Sequence, residues 1–179
     1  MRRYEFVGRE SFLPKAGALP PRHHVVSPAS VIQWAAESRP EIEWDGTWPA
    51  TFIVDLEGRL WIADRRSEHV ACARVQPVLA AGELFFEPVK NGVIAARVTN
   101  LSTGYCPEPV SWPAVAQALD AAGIAHGTAY DPEFIFRRCE NCATNCVVKD
   151  EDFTCPVCDR SLPEAWNFSP TPIDFRPVP

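Results

Sequence analysis

The spacing of hydrophobic and polar residues predicts strands in the middle of the chain. Around Phe52 and Val54 the period is two, which is typical of strands. Gly58 and the pair Asn91-Gly92 mark tight turns between such segments, and Asn-Gly between apolar alternations favours a hairpin. The pattern predicts an antiparallel sheet of about five strands within residues 50–99. The predicted strands are 50–56, 59–63, 70–79, 83–87 and 93–99, with Ala81-Gly82 as one of the turns.

Two segments outside this region have helical signals. Ser27 followed by proline predicts an N-terminal cap, and the apolar spacing continues to residue 38 before Pro40 ends the helix. Ser111 and Pro113 predict the start of a second helix over residues 112–122, which Gly123 would end. The fold class is therefore expected to be α+β, a helix-flanked antiparallel β-sheet with a metal-binding module after it.

The chain divides into three predicted parts. Residues 1–130 form the α+β domain, and the stretch before the first helix is expected to be extended or irregular. Its adjacent histidines, His23 and His24, would point in opposite directions on an extended chain and so are not expected to share a metal ion. Residues 131–163 form the metal-binding module. Residues 164–179 form a proline-rich tail that we expect to pack on the domain through Trp166, Phe168 and Phe175.

The strongest chemical signal is a double Cys-x-x-Cys pattern. Each pair can close a tight turn that brings two thiolates to one point, and two such turns form the tetrahedral sulfur site that Zn²⁺ prefers. The pairs are Cys139 with Cys142, and Cys155 with Cys158. Strands at residues 144–149 and 153–154 are expected between them. The stretch over residues 133–163 resembles zinc-ribbon proteins, which implies a structural zinc ion but no particular activity.

Two alternatives accompany this interpretation. Two disulfides or a redox dithiol would use the same cysteines, but the N-terminus has no secretory pattern and one redox pair would not need a second. Cys146 lies between the pairs and either replaces Cys142 as a ligand or fills a small apolar space. Four of the seven cysteines pair by spacing, which favours a metal site in a reducing compartment. We therefore expect a cytoplasmic protein.

Composition restricts the function classes. The chain has 179 residues, of which 46% are hydrophobic and 22% charged, as in globular proteins. Its net charge of −6 disfavours strong nucleic-acid binding, and acidic residues outnumber basic ones within the predicted ribbon. No apolar run approaches the roughly 18 residues of a membrane span, so membrane association is not expected.

A second candidate site centres on Cys106, which lies between the last predicted strand and the second helix. The dipole of that helix would lower the pKa of the thiol and make it a nucleophile, with His69 or His126 as the base. Residues 50–123 contain, in order, a sheet, a glycine, a cysteine and a helix that begins at Trp112-Pro113. This order resembles ubiquitin-conjugating enzymes. The resemblance implies a thioester on Cys106 and a helix-seating role for Trp112, although the family's His-Pro-Asn tripeptide is absent. The alternative is a packing role for Cys106.

The pair Trp44 and Trp48 lies around the turn signal Asp45-Gly46. These tryptophans either cover a sheet edge or form a recognition surface, and covering the edge is the preferred interpretation. From these features we expect a zinc-binding, non-enzymatic adaptor with a protein partner. The alternative is a cysteine-dependent transferase or hydrolase that uses Cys106, and the third hypothesis is a nucleic-acid-associated protein. A buried Cys106 beside an exposed aromatic surface would favour the adaptor.

Overall fold

The centre of the protein is a five-stranded antiparallel sheet in the order β1-β3-β2-β4-β5. The structure is a computed structural model that describes residues 1–14 and 19–169, so Phe175 lies outside the described residues. The mixed α and β architecture with an antiparallel sheet, expected from the sequence, is confirmed. The strands are β1 (His23–His24), β2 (Trp48–Val54), β3 (Leu60–Asp64), β4 (Ala80–Val89) and β5 (Gly92–Thr99).

Two of the three predicted hairpin turns are confirmed. Val54 pairs with Leu60 across the first turn, where Gly58 has a φ of +78°, a left-handed conformation that suits glycine. Val89 pairs with Gly92 across the second. The alternation of apolar residues and the turn residues therefore identified the two central hairpins correctly.

Residues 70–79 do not form the predicted strand. They contain the short helix α2 (His69–Cys72), followed by the left-handed residues Arg74 and Val75, and only Val78 makes a bridge, to Tyr4. A short apolar run has no periodicity that separates a buried helix from a buried strand, which explains the error. The fifth strand is instead β1, which pairs with β3 at the sheet edge.

The sequence suggested that Gly82 is a turn residue, but it lies inside β4, near the start of the strand. A Cβ atom at this position would overlap the carbonyl oxygen of Thr99 on the neighbouring strand. Glycine is therefore needed here for close approach of two backbones rather than for a change of direction.

Apolar clusters cover both faces of the sheet. On one face Phe52 packs with Trp34 and Leu119 of the two long helices, and on the other Ile53 packs with Tyr4 of the N-terminal segment and with α2. The expectation of an irregular N-terminus missed this packing. Because β2 is covered on both sides, its residues after Trp48 are all buried.

The two long helices match their predicted ranges closely. They are α1 (Pro28–Ser38) and α3 (Trp112–Ala121). Ser27 caps α1, and its hydroxyl accepts a hydrogen bond from the backbone N–H of Ser30. Ser111 does not cap α3 with its side chain. Its hydroxyl donates to the carbonyl oxygen of Glu108 and bonds the hydroxyl of Tyr130, because a 3₁₀ turn precedes the helix.

The cysteine-rich module contains a two-stranded sheet, β6 (Ile135–Arg138) paired with β7 (Asn145–Val148). The strand at 144–149 was therefore predicted nearly correctly, but its partner lies before the first cysteine pair. The segment 153–154 makes only an isolated bridge, between Thr154 and Ser161. This segment faces the stretch after the second cysteine turn rather than β7, because the N–H of Leu162 donates to the carbonyl oxygen of Phe153.

A cluster of apolar side chains joins the module to the sheet domain, and we call it the junction cluster. Its buried members are Val7, Cys106, Phe136 and Phe168, with Leu101, Phe134, Val147 and Trp166 packed around them. Asn100 adds polar contacts at this place. Its amide donates to the carbonyl oxygens of Pro107 and Phe134 and accepts from the N–H of Phe134. One buried side chain thus ties the end of β5 to the loop after it and to the start of the module.

Candidate metal centre

Four sulfur atoms converge in the cysteine-rich module. The Sγ atoms of Cys139, Cys142, Cys155 and Cys158 all lie within 4.8 Å of one another. The Cys139–Cys158 distance is 3.5 Å and the Cys142–Cys155 distance is 3.6 Å. A tetrahedral ion with Zn–S bonds of about 2.3 Å requires sulfur–sulfur edges of about 3.8 Å. The four thiols are therefore arranged to bind one metal ion, and the all-sulfur donor set suggests zinc.

The two cysteine turns repeat the same backbone pattern. In each turn, the residue after the second cysteine has a left-handed conformation, Ala143 with a φ of +59° and Asp159 with +55°. Each of these residues donates its N–H to the carbonyl oxygen of the first cysteine of its pair, Cys139 or Cys155. Neither is glycine, so each turn holds a strained residue of the kind that functional sites retain.

Backbone hydrogen bonds favour the thiolate form that metals bind, but burial and neighbouring thiols oppose them. Backbone N–H groups of Cys142 and Asn141 point to Cys139, and the equivalent groups of the second turn point to Cys155. Burial and hydrogen bonds with neighbouring thiols nevertheless raise the pKa of Cys139 to about 11 and raise the pKa of Cys155 as well. Thr144 Oγ1 lies 3.4 Å from Cys142 Sγ. Hydrogen bonds from Thr144 lower the pKa of the Cys142 thiol to about 6. This thiol would release its proton at neutral pH, as a metal ligand must.

Cys146 lies beside the four-sulfur group but is not part of it. It is buried in β7, and its Sγ is 3.8 Å from Cys155 Sγ and 3.5 Å from the carbonyl oxygen of Thr144. Burial raises the pKa of its thiol. A protonated thiol in this place can donate to the Cys155 sulfur without binding the ion.

The second candidate, Cys106, is completely buried in the junction cluster. Its Sγ lies 3.4 Å from the carbonyl oxygen of Thr103, and its own carbonyl oxygen accepts a 2.8 Å hydrogen bond from the indole of Trp166. Burial raises the pKa of this thiol far above its usual range, whereas the sequence suggested that a helix would lower it. The expectation is wrong because the 3₁₀ turn Pro109–Ser111 separates Cys106 from α3 and apolar side chains surround it.

Neither candidate base hydrogen-bonds Cys106 within the described part of the chain. His69 Nε2 lies 2.9 Å from the carbonyl oxygen of Gly82, and burial lowers the pKa of this imidazole to about 4. His126 uses both ring nitrogens, one with the carbonyl oxygen of Gly127 and the other with Asp120. These histidines are held by contacts in the sheet domain.

Trp44 and Trp48 have different environments. Trp48 begins β2 and packs on the core, as expected for a residue that covers the sheet. Trp44 is 93% exposed, so the preferred interpretation is wrong for this residue. It lies in an ordered turn, in which Thr47 donates to the carboxylate of Asp45 and Gly46 has a φ of +84°. The turn signal Asp45-Gly46 was visible in the sequence, but the direction of the tryptophan was not.

An apolar groove of about 390 Å³ lies beside this turn, and we call it the α1 groove. Its lining residues are Ile32, Ala35, Ala36, Arg39, Pro40, Ile42 and Trp48. Ile42 is 64% exposed and precedes Trp44 by two residues. The glutamates on either side of Ile42 pair with Arg66 and Arg65, which ties this segment to the end of β3.

Comparison with known proteins gives no relative for this chain, since no family model, curated protein or solved structure matches it. Among the described residues, none of the helices has both the length and the hydropathy required to cross a bilayer. None of the seven cysteines forms a disulfide. The function is therefore inferred from the cysteine cluster and from the surfaces of the protein.

Proposed function

We propose that this protein is a zinc-binding adaptor that acts by binding another protein rather than by catalysis. The observation that carries the proposal is the contrast between Cys106 and Trp44. The Cys106 thiol is buried, and burial raises its pKa, whereas the large aromatic side chain of Trp44 is almost fully exposed on an ordered turn. A reducing, cytoplasmic setting suits seven unpaired cysteines.

In this proposal the zinc ion has a structural role. Four cysteine ligands leave no open position for a substrate or an activated water molecule, which is the pattern of structural zinc sites. The ion would hold the two cysteine turns together, and through the junction cluster it would support the loop of residues 101–107.

The proposed contact surface is the α1 groove together with Trp44. Tryptophan is enriched at the centres of protein interfaces, and a preformed turn reduces the entropy lost on binding. Arg39 lines the groove and has no ion-pair partner among the described residues. We therefore expect a partner segment with apolar side chains for the groove and a carboxylate near Arg39.

The test is affinity purification of the protein and its variants from the cells that naturally express it, followed by quantitative mass spectrometry. Trp44→Ala and Ile42→Glu should each lose the specific partner, because they remove the aromatic contact or place a charge in the groove. Arg39→Glu should weaken binding through repulsion of the partner's carboxylate. The recovered partner should then bind the purified protein directly.

Two matched variants make the result interpretable. Val110→Ala removes another exposed apolar side chain, 68% exposed, outside the groove, and should retain the partner. Cys106→Ser should also retain it if the variant is folded. A partner that survives Trp44→Ala and Ile42→Glu, or is lost only in folded Cys106→Ser, would contradict the adaptor proposal and favour a cysteine enzyme.

A further inference from the structure

A second cleft, separate from the α1 groove, lies between the N-terminal segment and the first cysteine turn. It encloses about 570 Å³, which is within the range of about 300–1,000 Å³ typical of small-molecule sites. Three parts of the chain form its walls: the N-terminal residues 7–10 with Phe12, the loop residue Thr103, and Arg138 with residues 142–145. The cleft therefore exists only while the ribbon is docked on the sheet domain.

Two arginines, Arg9 and Arg138, line this cleft, and neither has an ion-pair partner among the described residues. Most other arginines near the surface are paired with carboxylates. Those pairs involve Arg2, Arg3, Arg59, Arg65, Arg66 and Arg97. The one acidic residue in the lining, Glu10, forms no ion pair with either arginine. Two unpaired guanidinium groups in one cleft favour an anionic ligand, although the whole chain is acidic.

The remaining lining supplies a neutral hydroxyl group and an aromatic surface. Thr103 lines the cleft and is exposed, whereas the hydroxyl of Thr144 lies 3.4 Å from Cys142 Sγ. Asn145 is held in place because its amide donates to the carbonyl oxygen of Val7 at 3.1 Å. Phe12 is 38% exposed, so part of its ring is available to an apolar or aromatic part of a ligand.

We propose that this cleft binds a phosphorylated small molecule of about mononucleotide size. Its phosphate would lie between Arg9 and Arg138, and its apolar part would contact Phe12. A phosphate has three terminal oxygens and can accept from both guanidinium groups and from Thr103 together, whereas a carboxylate has only two oxygens. This site is independent of the adaptor function, since it shares no lining residue with the α1 groove.

The experiment is isothermal titration calorimetry of the zinc-loaded protein at low salt with adenosine monophosphate, inorganic phosphate and adenosine. We expect adenosine monophosphate to bind at one site, phosphate to bind more weakly, and adenosine to show no binding. Arg9→Ala and Arg138→Ala should each weaken nucleotide binding at least about 10-fold, because each removes a charge-assisted hydrogen bond to the phosphate. Thr103→Val, which keeps both charges, should weaken it a few-fold.

The matched control is Arg160→Ala in the second cysteine turn. Arg160 also lacks an ion pair within the described residues, but it lies outside the cleft, so its removal should leave binding unchanged. Zinc content and circular dichroism check that each variant is folded. The proposal is overturned if neither phosphate nor the nucleotide binds at millimolar concentration, or if Arg160→Ala weakens binding as much as Arg138→Ala. Equal affinity for phosphate and the nucleotide would contradict the role of Phe12.

Discussion

The sheet domain and the cysteine-rich ribbon are stabilised by different means. The larger cluster of the sheet is made of side chains such as Trp34, Phe52 and Leu119, packed between β-strands and helices. The buried cluster of the ribbon has five members, and three of them are cysteines. A segment with so little apolar surface needs another source of free energy, and a metal ion bound by the four sulfurs would supply it.

The two regions are nevertheless in contact. Phe136 and Phe168 of the C-terminal part pack with Val7 and Cys106 of the domain, and Asn100 bonds backbone groups on both sides. We therefore expect the ribbon and the sheet domain to differ in free energy of unfolding. The junction cluster should be ordered only when both regions are folded. Variants of each region and of the junction separate these contributions.

Cys155→Ser should abolish zinc binding and unfold the ribbon. Structural zinc contributes on the order of 10 kcal/mol in small modules, which exceeds what the few apolar residues of the ribbon can supply. Elemental analysis should find one zinc ion per parent chain and none in the variant. Cys146→Ser is the matched control and should retain zinc, because its sulfur is outside the four-sulfur group. Zinc loss in Cys146→Ser with retention in Cys142→Ser would instead make Cys146 the ligand.

Phe52→Ala should destabilise the sheet and leave the zinc site intact in the folded protein. Removal of a fully buried phenylalanine costs about 4 kcal/mol, through lost burial and the cavity that remains. Chemical denaturation measured by circular dichroism should show the loss. Val89→Ala, at a site that is 42% exposed, should change stability by no more than about 0.5 kcal/mol. Equal effects of the two variants would show that β2 is not at the core.

Asn100→Ala tests the junction. The variant leaves two carbonyl oxygens and one N–H without their partner, at a cost of about 3 kcal/mol, and should loosen the ribbon from the domain. Limited proteolysis should then cut near residues 101–107 faster than in the parent. Asn141→Ala, at an exposed position in the first cysteine turn, should leave the proteolysis rate unchanged.

The imidazole of His69 should make the stability of the sheet domain depend on pH. The unfolded chain takes up a proton at the ordinary pKa of about 6.5, whereas the folded protein does so only near 4, so stability falls as the pH falls between these values. The loss should reach up to about 2 kcal/mol at pH 5. His69→Gln should show a smaller drop in Tm between about pH 7 and pH 5. An identical drop in the variant would contradict burial of the neutral imidazole.

The sequence predicted the parts of the molecule that local patterns determine. The cap at Ser27, the turn at Asn91-Gly92 and the two Cys-x-x-Cys turns each depend on residues close in the chain. The errors concern contacts between distant segments. Gly82 could not be placed without its neighbour Thr99, and the burial of Cys106 depends on Phe136 and Phe168, which follow it by at least 30 residues.

Hydrogen exchange measured by mass spectrometry compares the two regions most directly. It should be carried out on zinc-loaded protein and on protein treated with a chelator. We expect the amides of β6, β7 and residues 139–162 to lose protection when zinc is removed. The amides of β2 and β4 should keep theirs, because their strand partners and most of their apolar contacts lie within the sheet domain. Loss of protection in β2 and β4 together with the ribbon would contradict separate sources of stability and would make the metal a support for the whole protein.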